Sequence, residues 1–165
     1  MKLLLLLMLS LNLLVTDLSA YRKLLDQSLD DEDASDRFYA QLKSVKESGE
    51  PILVGFKAMS EFMVCKHTVN PISQIKHFNK GRKLLESAIK RDRINPELLF
   101  FRLSTQSNIP SFLRYKMNIT ADKLALISYL KTRDDSDKIL YNRIKVYLLI
   151  NQYCTAEEKA MIRKL

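Results

Sequence analysis

The chain has 165 residues, enough for one domain with its own core, and 27 Lys and Arg against 19 Asp and Glu give a formal charge of +8. Three Gly and four Pro exclude a turn-rich β protein, while the many Leu, Lys, Ile and Arg form a helix-building palette. No Gly-rich phosphate loop, nucleophile elbow or zinc-protease helix occurs in the sequence, so the enzyme classes they mark are set aside.

Residues 1–20 read as a secretory signal peptide. Met1-Lys2 is a minimal basic start, Leu3 to Val15 is apolar apart from Ser10 and Asn12, and Leu18-Ser19-Ala20 offers small residues for cleavage after Ala20. As a helix the apolar run rises roughly 20 Å, short of a hydrocarbon core of roughly 30 Å, so no stable membrane span is expected. The export reading leaves residues 21–165 as a single all-helical domain. Removing the leader takes out Lys2 and Asp17, and the charge stays at +8.

Tyr21, Leu24, Leu25, Ser28 and Leu29 share one helical face, and Asp26, Asp30, Asp31, Glu32, Asp33 and Asp36 make an acidic block around its end. Ala34, Phe38, Gln41, Leu42 and Val45 repeat the spacing up to Gly49. Pro51 opens a third segment in which Ile52, Phe56, Met59 and Met63 form a stripe widened by Ala58, Phe62 and Cys65, which implies burial on more than one side. Asn70-Pro71 and Asn95-Pro96 are helix starts: Asn caps free amides, and Pro suits a first turn that needs no N–H. Ile75, Phe78, Arg82, Leu85, Ala88 and Ile89 lie along the first of these helices. The second, with Leu98 to Phe101, is apolar almost all round and should be central. Pro110 ends it. Thr120 is expected to cap the helix of Leu124, Ile127 and Leu130, and Asp135 or Ser136 that of Leu140, Ile144, Tyr147 and Leu148. Thr155-Ala156-Glu157-Glu158 is a capping box for the last helix. The pattern predicts seven or eight short helices in antiparallel hairpins, as a tetratricopeptide-like array or an irregular bundle.

Few residues carry chemistry. Cys65 and Cys154 leave a disulfide open in an oxidising compartment, but Cys65 sits in an apolar stripe, the usual setting of a buried free thiol. Cys65 and His67 point to different sides of a helix and cannot share a metal, and the acidic block lacks EF-hand spacing. No metal or cofactor is expected. Asn118-Ile119-Thr120 matches a glycosylation sequon, a triplet that often arises by chance.

Arg102 and Gln106 share a face of the most apolar helix, where a buried charge needs a partner. Glu97 is five residues from Arg102, a poor offset for a direct pair. Asp122 or Glu61 from another helix serves equally. Arg102, Gln106, Glu97 and Asp122 are thus a candidate buried network, read as fixing helix packing rather than as a recognition point. Phe112, Arg114 and Tyr115 follow Pro110. They either line a groove or plug the core between hairpins, and the plug is the expectation. The Lys and Arg positions are spread over several helices with no groove-entering motif or stacking pattern, so no nucleic acid is expected.

The stretch Phe78 to Asp92, with Gly81, Leu85 and Ala88 at their positions, resembles the second helix of a tetratricopeptide repeat over half a repeat. More broadly, residues 51–130 resemble a family of exported helical proteins, of uncharacterised activity, typical of Bacteroidetes. The pattern is Asn70-Pro71, Phe78, Gly81, Leu84-Leu85, Ala88-Ile89, Asn95, Glu97, Phe100, Arg102-Leu103, Gln106, the run Pro110 to Tyr115, and Asp122-Lys123. The resemblance implies a periplasmic or secreted location and carries over no activity. The expectation is a non-enzymatic, exported helical-repeat-like protein that binds a protein or peptide. The alternative is a structural or envelope-associated basic protein in weak contact with anionic cell-surface polymer.

Overall fold

The structure, a computed structural model, describes residues 18–132 and 136–165. They form eight α-helices and no strand: α1 (Ser19–Gln27), α2 (Glu32–Leu42), α3 (Pro51–His67), α4 (Pro71–Arg91), α5 (Pro96–Asn108), α6 (Ile119–Thr132), α7 (Lys138–Ile150) and α8 (Ala156–Arg163). A single 3-10 turn, Ser111–Leu113, lies between α5 and α6. The expected leader falls largely on residues 1–17, outside the described residues. No helix among the described residues is long and apolar enough to cross a membrane.

Caps set the boundaries. The Asp31 side chain accepts from Ala34 N–H, and Glu32 and Asp33 follow in the first turn of α2, where the helix dipole favours carboxylates. Half of the acidic block, Asp31, Glu32 and Asp33, is therefore the amino-terminal dressing of one helix. Asn70 accepts from Ile72 and Ser73, and Asn95 from Glu97 and Leu98, each with Pro at the first turn. Thr155 and Glu158 make the capping box as the sequence predicts.

Two caps are corrected. Thr120 lies inside α6, because Asn118 precedes the first turn and its carbonyl accepts from Asp122 N–H at 2.9 Å. Leu124 is exposed, while Leu126, Ile127 and Leu130 are buried, because the inward face of α6 runs through Ile119, Asp122, Lys123, Leu126, Ile127 and Leu130. At α7 the cap is Asp137, whose side chain accepts from Leu140 N–H; Asp135 lies outside the described residues. Leu29 is also more exposed than its stripe predicts, since α1 ends two residues earlier.

Each helix packs chiefly on its chain neighbour, with α3 on α4 the most extensive pair. Non-sequential contacts tie α1 and α5 to α3. The core runs through Phe56 of α3, whose ring meets Tyr21 at 5.5 Å, Phe38 at 6.5 Å and Phe101 at 5.0 Å. The Phe38 and Phe101 rings meet it edge-on, an arrangement that adds to their area burial. Gly81 permits the close approach of α4 to α3: a Cβ there would lie 2.8 Å from Phe62 Cε1 and 3.0 Å from the Ala58 carbonyl oxygen. Helix α5 is buried from Glu97 to Ser107 apart from Ser104, the central placement expected of an all-round apolar helix.

Candidate functional site

Arg102 projects from the middle of α5 and is buried. Its Nε and Nη2 donate to the two carboxylate oxygens of Asp122 on α6, both at 2.7 Å, and Nη1 donates to Glu86 on α4 at 2.9 Å. A planar fork against a carboxylate is the strong, directional form of ion pair. Burial works to lower the guanidinium pKa, but the two carboxylates outweigh it and hold the group charged. For Asp122 burial wins: its carboxyl sits above the usual value despite Arg102. Glu86 also accepts from the Tyr115 hydroxyl at 2.6 Å. One turn along α5, Gln106 Nε2 donates to Asn118 Oδ1, and Gln106 Oε1 accepts from Asn118 N–H. The side-chain oxygen and backbone N–H of the sequon asparagine are thus both taken by Gln106.

Glu97 belongs elsewhere. It accepts from Arg22 on α1 at 2.7 and 2.6 Å, and Arg22 also reaches Asp137 at 3.0 and 2.7 Å. The helical repeat explains the correction: a five-residue offset puts Glu97 on the α1 side of α5, away from the α6 side that carries Arg102. Glu61, the other acid considered for Arg102, is fully buried on α3. Its partners are His77 Nδ1 and Lys80 Nζ of α4, each at 2.6 Å.

The Arg102–Asp122–Glu86 cluster and the Gln106–Asn118 pair hold the connection between α5 and α6, residues 109–118, at Tyr115 and Asn118. Tyr115 is its anchor, 3% exposed, with its ring edge-on to Phe78 at 6.2 Å and the Arg82 guanidinium 5.3 Å from the ring centroid. Burial, then the Glu86 carboxylate, pushes the phenol pKa well up, so Tyr115 stays a neutral donor. Arg114 takes a left-handed backbone with φ 48°, which turns the chain between Leu113 and Tyr115. The core-plug expectation is overturned for Phe112: it is 79% exposed, and Arg114 is exposed beside it. In the 3-10 turn Ser111–Leu113, Leu113 packs partly against the core while Phe112 faces away. Met117 is 85% exposed.

The remaining chemistry-bearing groups are engaged in structure. A pocket of 130 Å³ beside Glu61 is lined by Tyr39, Lys43, Lys57 and Ser60, and the Ser60 hydroxyl donates to the Lys57 carbonyl of its own helix, away from the Glu61–His77 pair. Lys57 Nζ is bound to the Lys43 and Val45 carbonyls at the end of α2. Cys65 and Cys154 are free, and burial pushes both thiols up, toward the unreactive form. Among the described residues no group of three or more His, Cys, Asp or Glu could hold a metal ion. The cluster that sequence reasoning missed, Glu61 with His77 and Lys80, did leave a signal: Ser60-Glu61 interrupts a largely apolar helix, and His77 and Lys80 are three apart on the next one.

The fold and this surface define an all-helical protein that presents two apolar side chains on an internally braced connection. No family model, curated protein or solved structure matches the chain.

Proposed function

We propose that the protein is exported and acts without catalysis, as a helical-repeat-like module that binds a protein or peptide partner through the α5–α6 connection. The observation that carries this reading is the exposure of Phe112 and Met117 on a segment whose neighbours Tyr115 and Asn118 are locked in place. Large apolar side chains held in water at fixed positions are the raw material of interface anchors, and ordering them in advance removes part of the entropy cost of binding. The leader-like residues 1–20 and the resemblance to exported helical proteins support the location. The sequential packing of helices and the small residue Gly81 between α3 and α4 support the repeat-like description.

Site-specific photo-crosslinking tests the proposal. A photoreactive residue at 112 should give a discrete protein adduct in cells, and the same residue at the exposed Leu124 should not. Absence of any adduct specific to 112 would refute it. Release from the envelope by salt alone, unchanged by Phe112→Ser, would favour contact with anionic polymer instead.

A further inference from the structure

We infer that the segment recognised by the α5–α6 connection is acidic and amphipathic, an inference that rests on the binding reading above. The connection carries Phe112 and Met117 with Arg114 and Lys116 between them in sequence, and no Asp or Glu from 109 to 118. Among the described residues neither Arg114 nor Lys116 has a carboxylate partner. The nearby acids cannot neutralise them, because Asp122 is taken by Arg102 and Glu86 is shared by Arg102 and Tyr115. Arg82, exposed on α4 and laid over the Tyr115 ring, adds a third cation without a described carboxylate. The surface is therefore two apolar anchors separated by uncompensated positive charge. Its complement is a chain that alternates apolar and acidic side chains, with the apolar groups placed to cover Phe112 and Met117.

An anionic bilayer offers similar chemistry, but a fluid surface makes no use of fixed spacing. Here spacing is fixed by a buried guanidinium fork, a reciprocal amide pair and a left-handed turn. That order favours a partner with its own register, a polypeptide.

Selection of a random linear-peptide display library on the wild-type protein, with Phe112→Ser as the subtraction target, tests the inference. Phe112-dependent peptides should be enriched in Asp and Glu interleaved with apolar residues. A selected peptide, measured by calorimetry, should bind the Arg114→Ser/Lys116→Ser protein at least about tenfold more weakly and lose affinity with added salt. Circular dichroism confirms that both variants stay folded. Phe112-dependent peptides without acidic enrichment would overturn the charge inference and leave the binding reading standing. Failure to obtain any Phe112-dependent peptide would overturn both, and Phe112-dependent binding to phosphatidylglycerol vesicles would then assign the surface to a membrane.

Discussion

Removal of the Arg102 side chain tests whether the candidate surface is held by buried charge. Arg102→Ala deletes three charge-assisted hydrogen bonds, two to Asp122 and one to Glu86. The losses are unequal. Glu86 is partly exposed and keeps the Tyr115 hydroxyl, so it is solvated readily. Asp122 is 2% exposed, and no other side chain among the described residues donates to it. Leaving a buried carboxylate without its partner costs about 3–5 kcal/mol. In a chain of this size that lowers Tm by roughly 6–20 °C. Replacing both partners with apolar residues of similar volume, Arg102→Met with Asp122→Leu, should recover most of the loss, because the penalty lies in the orphaned charge. Thermal and denaturant unfolding of Arg102→Met, Asp122→Leu and the double variant closes the cycle. An Arg102→Ala protein that melts within a degree or two of wild type would refute the reasoning, as would a double variant no better than the sum of the singles.

Four further outcomes are expected. Phe112→Ser should leave the stability unchanged within about 0.5 kcal/mol, since the ring is already in water, and a loss of about 3 kcal/mol in denaturant titration would show it to be buried. Gly81→Ala should destabilise: overpacking against the Ala58 carbonyl and Phe62 costs about 1–3 kcal/mol, against about 1 kcal/mol of helix propensity gained, and a stabilised variant would show that α3 and α4 are not in close contact. Burial works to raise the Asp137 carboxyl, but Arg22 and the Leu140 amide outweigh it and hold it below its ordinary value of 3.8, so its contribution is present above that pH and lost as pH falls through the depressed value. Asp137→Asn should therefore flatten the acid limb of a stability–pH profile, modestly because the side chain is partly exposed; an unchanged limb would exclude the pair. Finally, if the leader is cleaved as proposed, intact-mass analysis of the protein recovered from the cell envelope or medium should find an amino terminus at Tyr21, and retention of Met1 would exclude the leader.

The helices are legible because their punctuation is chemical and local. Asn70-Pro71, Asn95-Pro96 and the Thr155–Glu158 box each satisfy free amides with side chains adjacent in sequence, and all three stand where the pattern predicts. Thr120 misleads because Asn118, two residues earlier, is held by Gln106 from another helix, a contact that local sequence does not reveal. The need of Arg102 for a carboxylate is readable from its apolar helix, yet its choice of Asp122 depends on tertiary placement. The five-residue offset of Glu97 from Arg102 is legible as a poor one, but its actual partner, Arg22 on α1, depends on tertiary placement. Phe112 departs furthest from expectation. Bulk and aromaticity suggest burial, but Tyr115 fills the junction, because its hydroxyl can satisfy Glu86 while its ring packs on Phe78.

That exchange of roles connects the ionic clusters to the surface. Helices α3 and α5 are apolar almost all round, so hydrophobic burial alone fixes their depth better than their rotation. Each ionic cluster sits where rotation matters. Glu61 with His77 and Lys80 lies between α3 and α4, and Arg22 with Glu97 and Asp137 joins α1 to α5 and the start of α7. Arg102 joins α5 to α4 and α6, and Lys123 with Glu158 lies between α6 and α8. Buried pairs often contribute little net stability relative to apolar replacements, but a fork of directed bonds distinguishes one rotation from its neighbours. At α5 the consequence reaches the surface directly. Fixing Arg102 on Asp122 and Glu86 fixes the hydroxyl acceptor of Tyr115, and Tyr115 fixes the turn that leaves Phe112 in water. The Arg102→Met/Asp122→Leu protein separates these effects, since it should keep its stability while losing the defined geometry of the connection. Phe112-dependent binding that weakens in this stable double variant is the result that ties the buried charge to recognition.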